Sequence, residues 1–131
     1  MIEQRTEWAP MRDGIRLASD IYAPVQSPGP LPVVMMRNPY NGGVMVDFWP
    51  SICRALAVRG YVVVNQDARG THRSEGSFGF FAQEQADGYD AVEWAAARPW
   101  SNGQVGLWES HISPGLLCRP PSCVRRTWWR W

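Results

Sequence analysis

The 131-residue sequence predicts an α/β fold. Two apolar runs, LPVVMMR (31–37) and YVVVNQD (61–67), have the composition of strands buried on both faces, and a stretch with helical apolar spacing lies between them. Strand, helix and strand in that order make a βαβ unit, because parallel neighbours need a crossover connection. A second helix and a third short strand follow, so the pattern repeats.

The chain opens on an expected antiparallel hairpin. Residues 5–11 and 15–22 flank the turn signal Arg12-Asp13-Gly14, and the alternation of Ile15, Leu17, Ser19 and Ile21 with Arg16, Ala18, Asp20 and Tyr22 predicts one buried face. A Pro/Gly/Ser loop, APVQSPGP, leads to the first apolar strand, which Asn38-Pro39 closes. Asp47 is placed to cap the first helix, whose apolar face is expected from Phe48, Ile52, Ala55 and Leu56, and Gly60 stands where a left-handed C-cap belongs. The second apolar strand ends in the glycine-rich loop ARGTHRSEGSFGFF, beyond the carboxyl end where open α/β sheets place their chemistry. A second helix is expected over 83–98 with Ala86, Tyr89, Val92 and Ala96 on its buried side, and PWSNG then turns into the parallel strand QVGLW. The two double-sided strands are expected to need helices from beyond residue 131 to cover them.

Charge is informative only by position. All thirteen basic residues are arginine; residues 1–108 carry nine of them against eleven acids, whereas 109–131 carry four against Glu109 alone, so the two parts read as −2 and +3. The sum of +1 offers no global field for a nucleic-acid partner. No signal-peptide pattern opens the chain and no run approaches the roughly 18 apolar residues of a membrane span, so a cytoplasmic protein without membrane partners is expected. Cys53, Cys118 and Cys123 are an odd set, expected as reduced thiols; with His72 and His111 they show no metal-ligand spacing, and neither metal nor cofactor is expected.

Five segments, MRDGIRLASDIYAP, RNPY, RGYVVVNQDARG with SEGSF, ADGYDAVEW, and PWSNGQVGLW, follow one another over roughly residues 9–108. In order and spacing they resemble the amino-terminal part of the CocE/NonD-type α/β-hydrolases, the group of cocaine esterase and the X-prolyl dipeptidyl-peptidases. The resemblance implies a partial α/β-hydrolase fold: a hairpin plus a parallel sheet with crossover helices. It also implies serine hydrolysis of small-molecule esters or X-Pro peptide bonds through an acyl-enzyme. Tyr40 of RNPY matches the family tyrosine whose hydroxyl is an oxyanion-hole donor. In the family a nucleophile elbow, G-x-S-Y-x-G, follows the third parallel strand; here the position of its serine holds His111.

Neither nearby serine replaces it. Ser110 is flanked two residues away by Trp108 and Ile112, where the strained elbow needs small residues. Ser113 is followed by Pro114, which has no N–H to give the oxyanion. One inserted G after the Trp108 codon turns GAR TCN CAY ATH TCN into GGA RTC NCA YAT HTC. That spells Gly, then Ile or Val, and permits Ser and Tyr next, so a shifted reading frame accounts for the break. Residues 109–131, with three Pro and three Trp and no period, are expected as an aberrant, disordered tail to an otherwise regular 1–108. The expectation is a truncated hydrolase without turnover, since the family's acid and histidine also lie later in the chain.

Other residues read more plainly. Asp67 and Arg69 are expected to pair and hold the loop, with Ser74 and Glu75 beside them; His72 stands where relatives often carry glycine and is expected to reshape the loop. Asp87, Asp90 and Glu93 read as solvated charge on one helix face rather than an acid/base pair, and Trp94, Trp100 and Trp108 as packing. Trp128, Trp129 and Trp131 among arginines have the look of a single-strand stacking patch, but out-of-frame GC-rich sequence has the same content. The alternative is a non-enzymatic interaction module whose tail binds an anionic partner or nucleic acid.

Overall fold

A computed structural model describes residues 1–39, 47–79 and 82–108. Five strands and two helices follow one another as β1 (Ile2–Pro10), β2 (Arg16–Pro24), β3 (Leu31–Asn38), α1 (Phe48–Val58), β4 (Val62–Asp67), α2 (Glu84–Ala96) and β5 (Ser101–Trp108). They form one sheet in the order β1-β2-β4-β3-β5. β3 runs parallel to β4, from Val33 opposite Val62 to Asn38 opposite Asp67. It also runs parallel to β5, with Val33 opposite Val105 and Met36 opposite Trp108. The hairpin joins this parallel core antiparallel, Ile21 facing Val64.

Register divides the core by parity. Val33, Met35, Val62 and Val64 face α2 together with Leu17, Ile21, Ala91 and Ala95. Val34, Met36 and Val63 face α1 with Tyr22, Trp49, Cys53 and Ala57. The two helices therefore cover opposite faces, and the sheet's apolar strands are sheathed by elements within residues 1–108, contrary to the expectation that helices from elsewhere were needed. Each fully buried apolar side chain in these layers contributes roughly 1.5–3 kcal/mol.

Three local expectations are corrected. β2 is buried on both faces instead of one, because it lies inside the sheet between β1 and β4: Leu17 and Ile21 enter one core cluster and Tyr22 the other. The buried face of α1 is Trp49, Cys53 and Ala57, while Phe48 is half exposed and Ala55 exposed. Ile52 and Leu56 pack partly buried against the same cluster as expected, so the apolar face is rotated towards Trp49, Cys53 and Ala57 rather than replaced. α2 likewise buries Gly88, Ala91, Val92 and Ala95 and leaves Ala86 and Tyr89 at the margin. Asp47 does hold the N-cap position of α1 but caps nothing with its side chain; its carbonyl accepts from Ser51 Oγ at 2.8 Å. Gly60 has the expected left-handed conformation, φ +94°, and donates to Ala57 O at 3.0 Å.

Trp94 is buried and meets Trp100 edge to face at 6.1 Å, and Trp100 Nε1 donates to Glu7 at 3.1 Å. Trp108 is less enclosed, 39% exposed at the end of β5. No described helix is long and apolar enough to cross a membrane.

Cys53 is fully buried with its sulfur 3.9 Å from that of Met36, and burial pushes its thiol up to about 12. A thiol so far above its ordinary range is inert. Iodoacetamide at pH 8 is expected to modify Cys53 only after denaturation, as read by peptide mass mapping, which separates it from Cys118 and Cys123. Native labelling at the rate of a free thiol would show that α1 is not docked.

Candidate active site

The carboxyl ends of β3, β4 and β5 lie side by side, and the connections leaving β3 and β4 run to helices on opposite faces. Such a switch in direction opens the crevice where α/β sheets bind and react with substrates. Tyr40 follows the end of β3 by two residues and His111 follows the end of β5 by three. Both, together with Ser110, Ser113 and the tail 109–131, lie outside the described residues.

At this edge the structure describes a polar rim and one loop that stands beside it as a wall. The rim of β3 and β4 is polar and buried. Arg37 Nε donates to Gln66 Oε1 at 2.7 Å and Nη1 is ion-paired with Glu84; Gln66 Nε2 donates to Ser19 Oγ at 3.0 Å. Burial pushes the Arg37 guanidinium down and the Glu84 carboxyl up, with their mutual attraction working against both shifts. On the other face Asn38 Nδ2 donates to Asn65 Oδ1 at 2.8 Å.

The wall is the loop after β4. It doubles back on itself: Gly70 N donates to Glu75 O at 2.9 Å, Thr71 N to Ala68 O at 3.0 Å and Ser74 N to Thr71 O at 3.0 Å. His72 takes φ +45°, the left-handed region, so the position expected to reshape the loop is strained as a glycine there would not be. The expected Asp67–Arg69 pair is not formed. The reversal carries Arg69 towards α2, where it grips Asp87 with two bonds of 2.8 Å and reaches Asp13 at 2.8 Å. It brings Arg73 back over Asp67, at 3.2 Å, and on to Asp20 at 2.9 Å. The hydrogen bonds Arg69 donates to Asp87 and Asp13 raise its pKa, and its bond to Asp13 lowers that of the carboxyl.

The carboxylates of α2 are corrected as well. Asp87 is 2% exposed and paired with Arg69, and Asp90 accepts from the Arg12 backbone at 3.0 Å and from its guanidinium at 2.9 and 2.8 Å. The Arg12 bond holds Asp90 below the usual carboxylate range. These groups are tethers that bind the hairpin turn and the loop to α2, neither solvated charge nor an acid/base pair. Glu75 does the same for β2, accepting from Arg16 at 2.9 and 2.7 Å.

Serine chemistry at this rim is accounted for. Ser74 Oγ donates to Asp67 O at 2.7 Å and accepts from Ala18 N at 2.9 Å, and Ser19 Oγ donates to Leu17 O at 3.3 Å. Both hydroxyls are structural. Among the described residues no group of three metal-capable side chains is assembled. Sequence reasoning missed Arg37, Arg12 and Arg16; the one available signal was nine arginines against eleven acids in a chain segment with no net field.

Gly70 tests the loop. It has φ +68°, and an added Cβ would lie 2.1 Å from Phe78 N and 2.4 Å from Ser77 C, both backbone atoms. Neither can swing away. Gly70→Ala is expected to cost at least about 2 kcal/mol in urea unfolding, the sum of a strained conformation and a backbone clash. A change within about 0.5 kcal/mol would mean the loop is not packed as described.

Residues 13–108 match the X-Pro dipeptidyl-peptidase (S15) family. Cocaine esterase from Rhodococcus sp. (strain MB1 Bresler) is 39% identical over 104 residues, covering 75% of this chain and 17% of that protein. An α-amino acid ester hydrolase superposes with a TM-score of 0.67 at 26% identity, over 83% of this chain and 21% of its own. A CocE/NonD family hydrolase from Staphylococcus aureus superposes at 0.66 with 29% identity, over 81% of this chain and 22% of its own. The chain thus spans about a fifth of the relatives it matches.

Proposed function

The chain belongs to the X-Pro dipeptidyl-peptidase (S15) family of α/β-hydrolases, and from that premise we propose that it is the amino-terminal scaffold of a serine hydrolase that cleaves acyl bonds, ester or X-Pro peptide, through an acyl-enzyme. Tyr40 is its oxyanion donor and position 111 its nucleophile position. Because that position holds His111, the 131 residues as they stand do not turn over substrate.

The observation that carries this reading is where the likeness stops. The family match runs through Trp108, the last residue of β5, and the G-x-S-Y pattern would begin at the next residue. β3 and β5 are bonded neighbours, so the segments that follow them leave the sheet from adjacent points. That is the arrangement in which a donor after β3 and a nucleophile after β5 share one carbonyl. The relatives, an esterase, an amino acid ester hydrolase and a dipeptidyl-peptidase family, have in common attack on an acyl carbon.

A shift of frame after the Trp108 codon explains the loss. The decisive comparison is the gene: a reading frame that resumes one base away and continues through an acid and a histidine supports it, and an uninterrupted gene with the same stop in independent isolates would overturn it. The chain itself is expected to hydrolyse nitrophenyl acetate no faster than buffer. A burst of product equal to the protein concentration, abolished by Ser110→Ala or Ser113→Ala, would contradict the assignment of position 111.

Restoring the frame is expected to yield a working hydrolase in which Tyr40→Phe lowers kcat by roughly a hundredfold, the usual consequence of deleting one oxyanion donor. An unchanged kcat would leave Tyr40 as a packing residue.

A further inference from the structure

β1 is the outermost strand of the sheet, with β2 on its inner edge and no strand on its outer edge among the described residues. Its nine residues pair with β2 without a bulge. Just beyond the two ends of that ladder, Val25 N donates to Met1 O at 3.0 Å and Met11 N to Ile15 O at 2.8 Å. Peptide groups alternate in direction along an antiparallel strand, so the odd residues of β1 bond β2 and the even ones, Ile2, Gln4, Thr6 and Trp8, turn theirs outward. Pro10 and Pro24, which have no N–H to give, both stand at pairs of the non-bonded kind, as this parity requires.

An open edge invites a further strand, and folded proteins commonly block one with a bulge, a lysine or a proline within the strand. β1 has neither bulge nor lysine, and its proline is the last residue. What it carries is Glu3, Arg5 and Glu7, alternating in sign along one face, with Gln4, Thr6 and Trp8 exposed on the other. That row is complementary to itself. A second copy running antiparallel about a two-fold axis at Thr6 covers the whole of β1, from Ile2 opposite Pro10 to Pro10 opposite Ile2. The outward peptide groups of Gln4, Thr6 and Trp8 then meet those of Trp8, Thr6 and Gln4. Arg5 of each copy lies opposite Glu7 of the other, at the non-bonded pairs where side chains approach most closely. Within one copy Arg5 is already bonded to Glu3 and Glu7, so the axis joins two such triads into one network. Moving the axis to Arg5 or Glu7 sets like charges against each other, and moving it to Gln4 leaves Glu7 to Pro10 without a partner strand.

We propose that β1 is a homodimerisation edge: two copies of the chain pair antiparallel through Thr6 and make one continuous sheet, an isologous contact that closes on itself. The occupant is a second copy rather than an unrelated strand, because the order of charges and the length required are those of β1 itself. The edge lies at the far end of the strand order from β5, so the proposal is independent of whether the crevice is catalytic.

Sedimentation equilibrium of the 131-residue chain is expected to give a dimer. Hydrogen exchange at the amides of Gln4, Thr6 and Trp8 is expected to slow at least tenfold as the chain is concentrated about a hundredfold through the dissociation midpoint, with the amides of Arg5, Glu7 and Ala9 protected throughout by β2. Thr6→Pro removes an outward N–H that β2 does not use and is expected to leave a folded monomer. Should that variant not fold, charge reversal makes the same comparison. Arg5→Glu alone is expected to weaken the dimer at least tenfold, and Arg5→Glu with Glu7→Arg to restore it, since the exchange re-forms both pairs only in the register centred on Thr6. A chain that is monomeric at every concentration overturns the proposal. So does a dimer whose even-numbered β1 amides exchange freely, which would pair elsewhere, and so does an exchange of charges that fails to restore association. Protection of those amides independent of concentration overturns it as well, by showing that another segment of the same chain covers the edge.

Discussion

The parallel pairing of β3 on both its edges is the constraint from which the rest of the structure follows. β3 is bonded to β4 on one side and β5 on the other, and both pairings are parallel, so each return needs a crossover. One helix cannot cover two faces of a sheet that is apolar on both. The chain sends α1 to one face and α2 to the other, and the carboxyl ends of three strands are thereby left together at one edge. The location of the candidate active site is a consequence of this pairing, fixed before any reacting group is considered.

At that edge, electrostatics replaces apolar packing. Arg69 joins the loop to α2 and the hairpin turn, Arg73 joins it to β4 and β2, Arg12 joins the turn to Asp90, and Arg37 joins β3 to α2. Arginine suits the task because its planar fork binds a carboxylate with two bonds and cannot lose its charge. Nine arginines against eleven acids in residues 1–108 supply both partners of such pairs, and the exposed members contribute little energy individually. Their effect is geometric: they hold a loop containing a left-handed His72 against an edge that would otherwise be closed only by backbone bonds.

The family likeness covers residues 13–108, and the two-faced core and the braced loop lie within residues 1–108, whereas the reacting groups proposed above fall at positions outside the described residues. The frame shift proposed above would leave every interaction described for the sheet intact, because all of them lie within residues 1–108.

How much could be read beforehand depended on the range of the interaction concerned. The βαβ order, the hairpin and Gly60 as helix stop were legible, since backbone propensity, apolar runs and turn residues act over a few neighbours. Which side of α1 is buried was legible only in part: Ile52 and Leu56 pack against the core as read, but Trp49, Cys53 and Ala57 are its centre and Phe48 is half exposed, because the rotation of the helix on the sheet chooses among apolar residues. Nor was the choice of Arg73 over Arg69 as partner of Asp67, because the reversal of the loop through Gly70 decides which guanidinium arrives. The sequence by itself determined the elements and their order. The tertiary structure alone decided the ion pairs that brace the site, because a Coulombic contact between residues tens of positions apart exists only once the chain between them has folded.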